Sequence, residues 1–252
     1  MAENWIAYMG RIEEETASFI VDLDAGESYD ITDYPVRIEV TLPFTPGPED
    51  GLPDKPALDK LNDAEDRCVE ALRDQVDAVH VGHATRPGRR WVLLYAPTAV
   101  NIETAAKAAV AGASVAGATV EAVEDEDWSA YFDFLFPTPT EFQWLGNRQL
   151  VDQLEAQGDA LATPRLVQHA AYFTSEDGRD AYAAAVAELG FTLGERGIDD
   201  REEVDELPYS LKFSRSHAVD METITEITMP LVELAVEHDG VYDGWETPLT
   251  PE

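Results

Sequence analysis

From Val36 to Leu42 the chain alternates apolar and polar residues without a break (VRIEVTL), the period of two that sends successive side chains to opposite faces of a strand. Shorter alternations at Trp5–Tyr8 and Ala17–Leu23 predict an opening hairpin. The stretch Pro43–Pro56 carries five prolines and two glycines, so neither a helix nor a central strand fits there. Leu58, Leu61, Cys68, Leu72 and Val76 then fall on one face of a helix from about Ala57 to Val76. Strands are predicted at Ala78–Ala84 and Trp91–Tyr95, around a turn at Arg86-Pro87-Gly88-Arg89. Asn101 is placed to cap an alanine-rich helix that ends near Gly112 or Gly117, and a strand at Ala118–Val123 closes the first half.

Phe136-Pro137-Thr138-Pro139-Thr140 must be extended before its prolines, which marks a boundary. Residues 1–136 are therefore expected to form one domain, 137–146 a linker and 147–252 a second domain, although Glu141–Gln157 also has helical periodicity. Beyond it the pattern recurs. Leu166–Phe173 reads as a strand, and Thr174 as the cap of a helix running to Leu189, with Gly190 to stop it. Strands beginning at Phe191 and at Tyr209–Ser214 flank the acidic run Asp199–Glu206, read as a solvated loop. Asp220–Glu237 is helical by its Met221, Ile224, Thr228, Leu231, Ala235 face, interrupted by Pro230, where a kink is expected; Val241–Leu249 is the last strand. Both halves thus carry βαββαβ order. The expected fold class is α+β, two ferredoxin-like sandwiches, the first with an extra N-terminal β-hairpin.

Composition adds one strong constraint. Among 252 residues, 51 acidic and 17 basic side chains give a formal charge of −34, which would repel phosphate backbones and excludes a general nucleic-acid binder. Residues 1–140 hold 27 acidic and 10 basic groups and residues 141–252 hold 24 and 7, so each half nets −17 and neither is an acidic tail. With four lysines against thirteen arginines, adaptation to a high-salt cytoplasm explains the acidity as well as a binding role does. The first residues lack a basic segment followed by an apolar one, no apolar run approaches the ~18 residues of a membrane span, and the chain reads as soluble and cytoplasmic. Cys68 is the single cysteine and sits at a core position, so a disulfide framework and a cysteine metal cluster are both excluded.

Candidate chemistry is sparse. His80 and His83 suggest a metal pair, but three residues apart in a regular strand they face opposite ways, so no metal site is expected. His169, His217 and His238 are scattered, and no HExxH, paired CxxC or GxSxG motif occurs. No catalytic residue and no cofactor is assigned. Arg86, Arg89 and Arg90 form a basic cluster at a hairpin turn, a weak candidate for contact with an anion or an acidic partner. Tyr242, Asp243, Gly244 and Trp245 are the better candidate for binding a partner. Glycine inside a strand signals a bulge or a close backbone approach, and Tyr and Trp are enriched at interface hot spots. The competing reading makes Trp245 core and Asp243–Gly244 a bulge that sets register. Trp128, Tyr131, Phe132, Phe134 and Phe136 form a denser aromatic cluster, read as core or domain seam.

The segment Val241-Tyr242-Asp243-Gly244-Trp245-Glu246-Thr247, with the long helix before it and Leu189-Gly190-Phe191, resembles the RraB family of regulators of ribonuclease E activity over residues 147–252. The first half is similar to domain-of-unknown-function family 695, through Trp5, His80–Thr85, Gly88-Arg89-Arg90, Trp91–Ala96, Asp127–Tyr131 and Phe134–Pro137. The RraB resemblance implies a ferredoxin-like fold and an inhibitor that works by binding a ribonuclease, without catalysis. The expected function is therefore a non-enzymatic protein-binding regulator that masks the RNA-binding surface of a ribonuclease E type enzyme. Two alternatives stay open: an immunity-type neutraliser of a basic toxin nuclease, and an uncharacterised enzyme with its site in the first domain.

Overall fold

The computed structural model describes residues 4–48, 50–113, 115–198 and 207–250, so the predicted loop Asp199–Glu206 lies outside the described residues. The chain divides into two compact units, Met1–Pro137 and Thr138–Glu252.

Unit 1 opens with the expected hairpin, β1 (Trp5–Ile12) and β2 (Glu15–Asp22), followed by the short helix α1 (Ala25–Ser28). Next come β3 (Val36–Pro43), α2 (Lys55–Val76), β4 (Val79–Arg86), β5 (Arg89–Ala96), α3 (Ile102–Ala113) and β6 (Thr119–Glu124). The antiparallel sheet runs β1-β2-β4-β5-β3-β6, which is the ferredoxin-like order β6-β3-β5-β4 extended by the hairpin. Asp54 caps α2 through the Ala57 amide, with Pro56 in the first turn, and Leu61, Ala64, Cys68, Leu72 and Val76 bury its apolar stripe. That stripe and Ala105, Ala109 and Ala113 of α3 pack on Ile38, Val40, Leu42, Val92 and Leu94. Asn101 does not act as the predicted side-chain cap. It is left-handed (φ 66°) and starts α3 through its carbonyl, which accepts from the Thr104 and Ala105 amides.

The aromatic cluster of residues 128–136 belongs to unit 1's own interior. Trp128 and Tyr131, at the head of a π-helical segment Ala130–Leu135, are buried, while Phe132 and Phe134 keep partial exposure. Trp128 stacks on Tyr95 at 4.2 Å and donates to the Tyr34 carbonyl, and Tyr131 donates to the Asp22 carbonyl.

Unit 2 consists of α4 (Pro139–Ala156), β7 (Arg165–Phe173), α5 (Glu176–Glu188), β8 (Thr192–Ile198), β9 (Tyr209–His217), α6 (Met221–Glu237) and β10 (Gly240–Glu246). Its antiparallel sheet runs β10-β7-β9-β8, again the ferredoxin-like order, and β10 is an edge strand. The stretch 137–146, expected as a linker, is mostly helix. Thr138 and Glu141 form a capping box and Pro139 opens the first turn, so a single proline-rich motif both ends unit 1 and starts α4. Ser175, not Thr174, caps α5, accepting from the Gly178 amide at 3.1 Å. Helix α6 continues through Pro230 with Ile224, Thr228, Leu231 and Ala235 inward, so it is one helix and not two segments.

Candidate functional site

Strand β10 carries the segment singled out in the sequence. Its register against β7 shifts between Tyr242 and Gly244, and Gly244 has φ 116°, a conformation open to glycine at little cost. The bulge therefore exists, but a side chain at Gly244 would meet nothing within 4 Å, so the glycine is needed for its backbone angle and not for a close approach. Because of the extra residue, Tyr242 and Trp245 both face inward, 6% and 9% exposed. Neither ring stands out as a protruding anchor. What β10 offers outward is Val241, 52% exposed, with Asp243 and Glu246.

Along this edge lies a groove of about 520 Å³, walled by Phe142, Gly146 and Leu150 of α4, Val232 and Val236 of α6, and the β10 segment. Its floor is tied by a polar network. Asn147 Oδ1 accepts from Trp245 Nε1 at 2.8 Å and from Gln143 Nε2 at 2.7 Å. Asn147 Nδ2 donates to Thr228 Oγ1 at 2.7 Å, and that hydroxyl donates to the Ile224 carbonyl. One buried amide thus joins α4, α6 and β10, and each atom of the network has its partner.

Behind the strand, two of the three histidines that look scattered in sequence, His169 and His217, converge. The Nδ1 of His217 is 2.7 Å from the Ala218 carbonyl, which only accepts, so that nitrogen carries a proton. Burial holds both His217 and His169 below the ordinary value, His169 down to about 3 with His217 and Arg215 adding to the effect, so both rings are neutral. Neutral His217 accepts at Nε2, and the His169 Nε2 proton, 3.3 Å away, supplies the bond. His169 Nδ1 is then the acceptor for the Tyr242 hydroxyl at 2.7 Å. The result is a one-way chain from Tyr242 to Ala218, closed off by Phe213 stacked on His169 at 5.3 Å.

The three arginines of unit 1 do not stay together. Arg86 pairs with Glu13 and Glu15, and both Arg86 and Arg89 lie over the Trp91 ring at 5.3 and 5.5 Å. Arg90 points the other way and is buried, with Nη1 2.8 Å from Glu65 Oε2 and from Asn62 Oδ1, and Nε on Thr85. It cannot share a surface anion with its neighbours.

His80 and His83 also depart from expectation. A bulge between His80 and Gly82 inserts one residue into β4 and restores both rings to the same side. Both approach Glu65 Oε1, at 3.4 Å for His80 Nε2 and 2.8 Å for His83 Nδ1. Burial opposes the Glu65 charge, yet the two histidines hold its carboxyl well below the usual range. With Arg90 on the other oxygen, the carboxylate is already neutralised by a fixed cation. Among the described residues no group of three ligands suited to a metal is present. Sequence reasoning missed this cluster because it depends on the bulge.

Among the described residues no helix is long and apolar enough to cross a membrane. Residues 3–136 match the model of a family of unknown function, DUF695, and residues 145–247 match that of regulator of ribonuclease activity B, RraB. No curated protein matches the chain. Among solved structures, an unknown protein from Galdieria sulphuraria is similar at 12% identity over 85% of this chain and 98% of that one, with a TM-score of 0.23, too low to carry an argument.

Proposed function

We propose, on the premise that this chain belongs to the DUF695 family through residues 3–136 and couples it to an RraB-like unit, that it is a non-catalytic regulator which binds a ribonuclease E type enzyme in the cytoplasm. The observation that carries the reading is the match of residues 145–247 to the regulator of ribonuclease activity B. The geometry agrees with binding and, among the described residues of unit 2, offers no catalytic arrangement. His169 and His217 are spent on a closed hydrogen-bond chain, and an apolar groove runs beside the edge strand β10.

The proposed contact is the β10 edge with the groove beside it, where Val241 and Asp243 face out and Tyr242, Gly244 and Trp245 hold the strand in shape. An edge strand presents unpaired amides and carbonyls to which another chain can pair. The formal charge of −34 steers the protein to basic surfaces, and a ribonuclease's RNA path is basic by necessity. Occupying that path denies it to RNA. The same charge weighs against direct RNA binding.

The test is cleavage of a short RNA by the purified ribonuclease from the same cell, with the full chain added over a range of salt. Inhibition that weakens as salt rises, and that drops at least about tenfold in Val241→Arg and Asp243→Lys, supports the reading. Absence of inhibition by the unaltered chain overturns it. Inhibition untouched by both substitutions removes the β10 edge from the mechanism while leaving the target in place.

A further inference from the structure

The groove beside β10 contains a glycine that the packing of unit 2 does not require. Gly146 lies in the middle of α4 with an ordinary helical backbone, where glycine weakens a helix relative to alanine. A Cβ built on it would meet nothing within 4 Å, so neither a crowded contact nor a special backbone angle calls for it. Its effect is on the groove. Phe142, Gly146 and Leu150 recur every four residues along the wall that α4 contributes, and the missing side chain hollows that wall at its centre.

The shape of the hollow limits what can fill it. The lining follows β10 from Gly240 to Trp245, about 17 Å of strand. Spread over that length, 520 Å³ leaves a cross-section of about 30 Å², room for one row of side chains and too little for a helix about 10 Å across. The stripe on α4 repeats about every 6 Å, close to the ~6.7 Å between alternate side chains of a strand. Among the described residues no strand pairs with the outer edge of β10, so that edge is open to a further strand. The two sides of such a strand would meet different chemistry. On the groove side stand Leu150, Val232 and Val236, whereas Asp243 and Glu246 are exposed on the other face of β10.

We infer, building on the docking edge proposed above, that the groove receives a single extended segment of the protein partner, paired along β10, in which apolar side chains alternate with lysine or arginine. The apolar set would enter the groove, with one side chain seated on Gly146 between Phe142 and Leu150. The basic set would point to the opposite face, as cross-strand partners of Asp243 and Glu246. The β10 strand of a second copy fits poorly, because it would set Asp243 and Glu246 against like charges.

Fluorescence anisotropy of a labelled, end-capped nonapeptide of alternating valine and lysine, titrated with the full chain at fixed ionic strength, tests this. Saturable binding of one peptide per chain is expected, and the isomer with its valines and lysines in two blocks should bind at least about tenfold more weakly. Gly146→Leu should raise the melting temperature by several degrees, because leucine is the better helix former, and yet weaken the alternating peptide at least about tenfold. Opposite signs in stability and binding separate a groove kept open for a ligand from a glycine with a structural role. Gly146→Ala should move both in the same directions by less, and it decides the matter if the leucine variant is not stabilised. Gln149→Leu, on an exposed position of the same helix, should leave binding unchanged. Equal binding of the two isomers, no binding of either, or undiminished binding by both Gly146 variants overturns the proposal. A chain that binds the alternating peptide through Gly146 but leaves RNA cleavage unaltered keeps the groove and overturns the ribonuclease reading instead.

Discussion

The Tyr242 hydroxyl donates to His169 Nδ1 across 2.7 Å, in a place where neither that hydroxyl nor that nitrogen has another hydrogen-bond partner among the described residues. The two are 73 positions apart, on strands β10 and β7, and their bond fixes the strand that carries the proposed docking edge. Tyr242→Phe leaves a buried nitrogen without its donor, and His169→Phe leaves a buried hydroxyl without its acceptor. Each should cost roughly 1–3 kcal/mol of stability. The double replacement should cost distinctly less than the sum, because the hydroxyl and its acceptor go together and only His217 Nε2 is left without its donor. Urea midpoints of the four proteins give the coupling; simple additivity would show that the bond contributes nothing specific.

The same pair makes stability depend on pH in a stated direction. Burial holds His169, His217 and His83 below their ordinary value of 6.5 in the folded chain. As pH drops below 6.5 the unfolded chain takes up protons that the folded one refuses, so stability is complete above that pH and falls as it is lowered towards the folded values. The loss is up to roughly 1.4 kcal/mol per pH unit for each group that stays neutral. Glu65, a carboxyl held below its ordinary 4.5, acts in the same sense further down, keeping its contribution above pH 4.5 and losing it below. Denaturation midpoints at pH 7.5 and pH 5 should therefore differ, and the difference should shrink in the His169→Phe, Tyr242→Phe protein.

In unit 1 the matching test is Glu65→Gln. The substitution leaves the buried Arg90 guanidinium without its counter-charge and puts a neutral amide where His83 meets a carboxylate. Breaking a buried pair from one side costs roughly 3–5 kcal/mol, enough to lower the melting temperature by many degrees. Arg90→Met in the same background should recover part of the loss, since the stranded charge goes with it. A Glu65→Gln protein as stable as the parent would mean that Arg90 reaches solvent.

The regular elements were legible because local pattern decides them. Period two at Val36–Leu42 became β3, and the apolar stripe from Leu61 to Val76 became the buried face of α2. The departures come from single inserted residues. The bulge in β4 put His80 and His83 on one side, reversing what alternation predicts, and the bulge in β10 turned both Tyr242 and Trp245 inward. Glycine at 244 announced the second bulge, and Gly82 offered an unused signal for the first. Arg90 was readable too, since beside Arg89 in a strand it must face the opposite way. The Tyr242–His169–His217 chain was not, because its contacts span 73 and 48 positions and depend on strand order.

Asn147 gives the sharpest link between stability and the docking edge. Its side chain holds Trp245 Nε1, Gln143 Nε2 and Thr228 Oγ1 at once, and so joins α4, α6 and β10 through polar atoms. Asn147→Leu keeps the branch at Cγ but replaces both polar atoms with methyls, and it strands the indole N–H of Trp245, a donor with no acceptor role to fall back on. A loss of roughly 2–4 kcal/mol is expected from the unsatisfied groups. Asn147→Asp separates geometry from chemistry. The carboxylate still accepts from Trp245 and Gln143, and the Thr228 hydroxyl can turn to donate to it, but only by giving up the Ile224 carbonyl. Its burial cost then makes the variant weaken as pH rises through the range where the carboxyl ionises, whereas the leucine variant shows no such dependence of its own. Measured against the parent at each pH, equal losses for the two variants at high and low pH would show that the network is open to water.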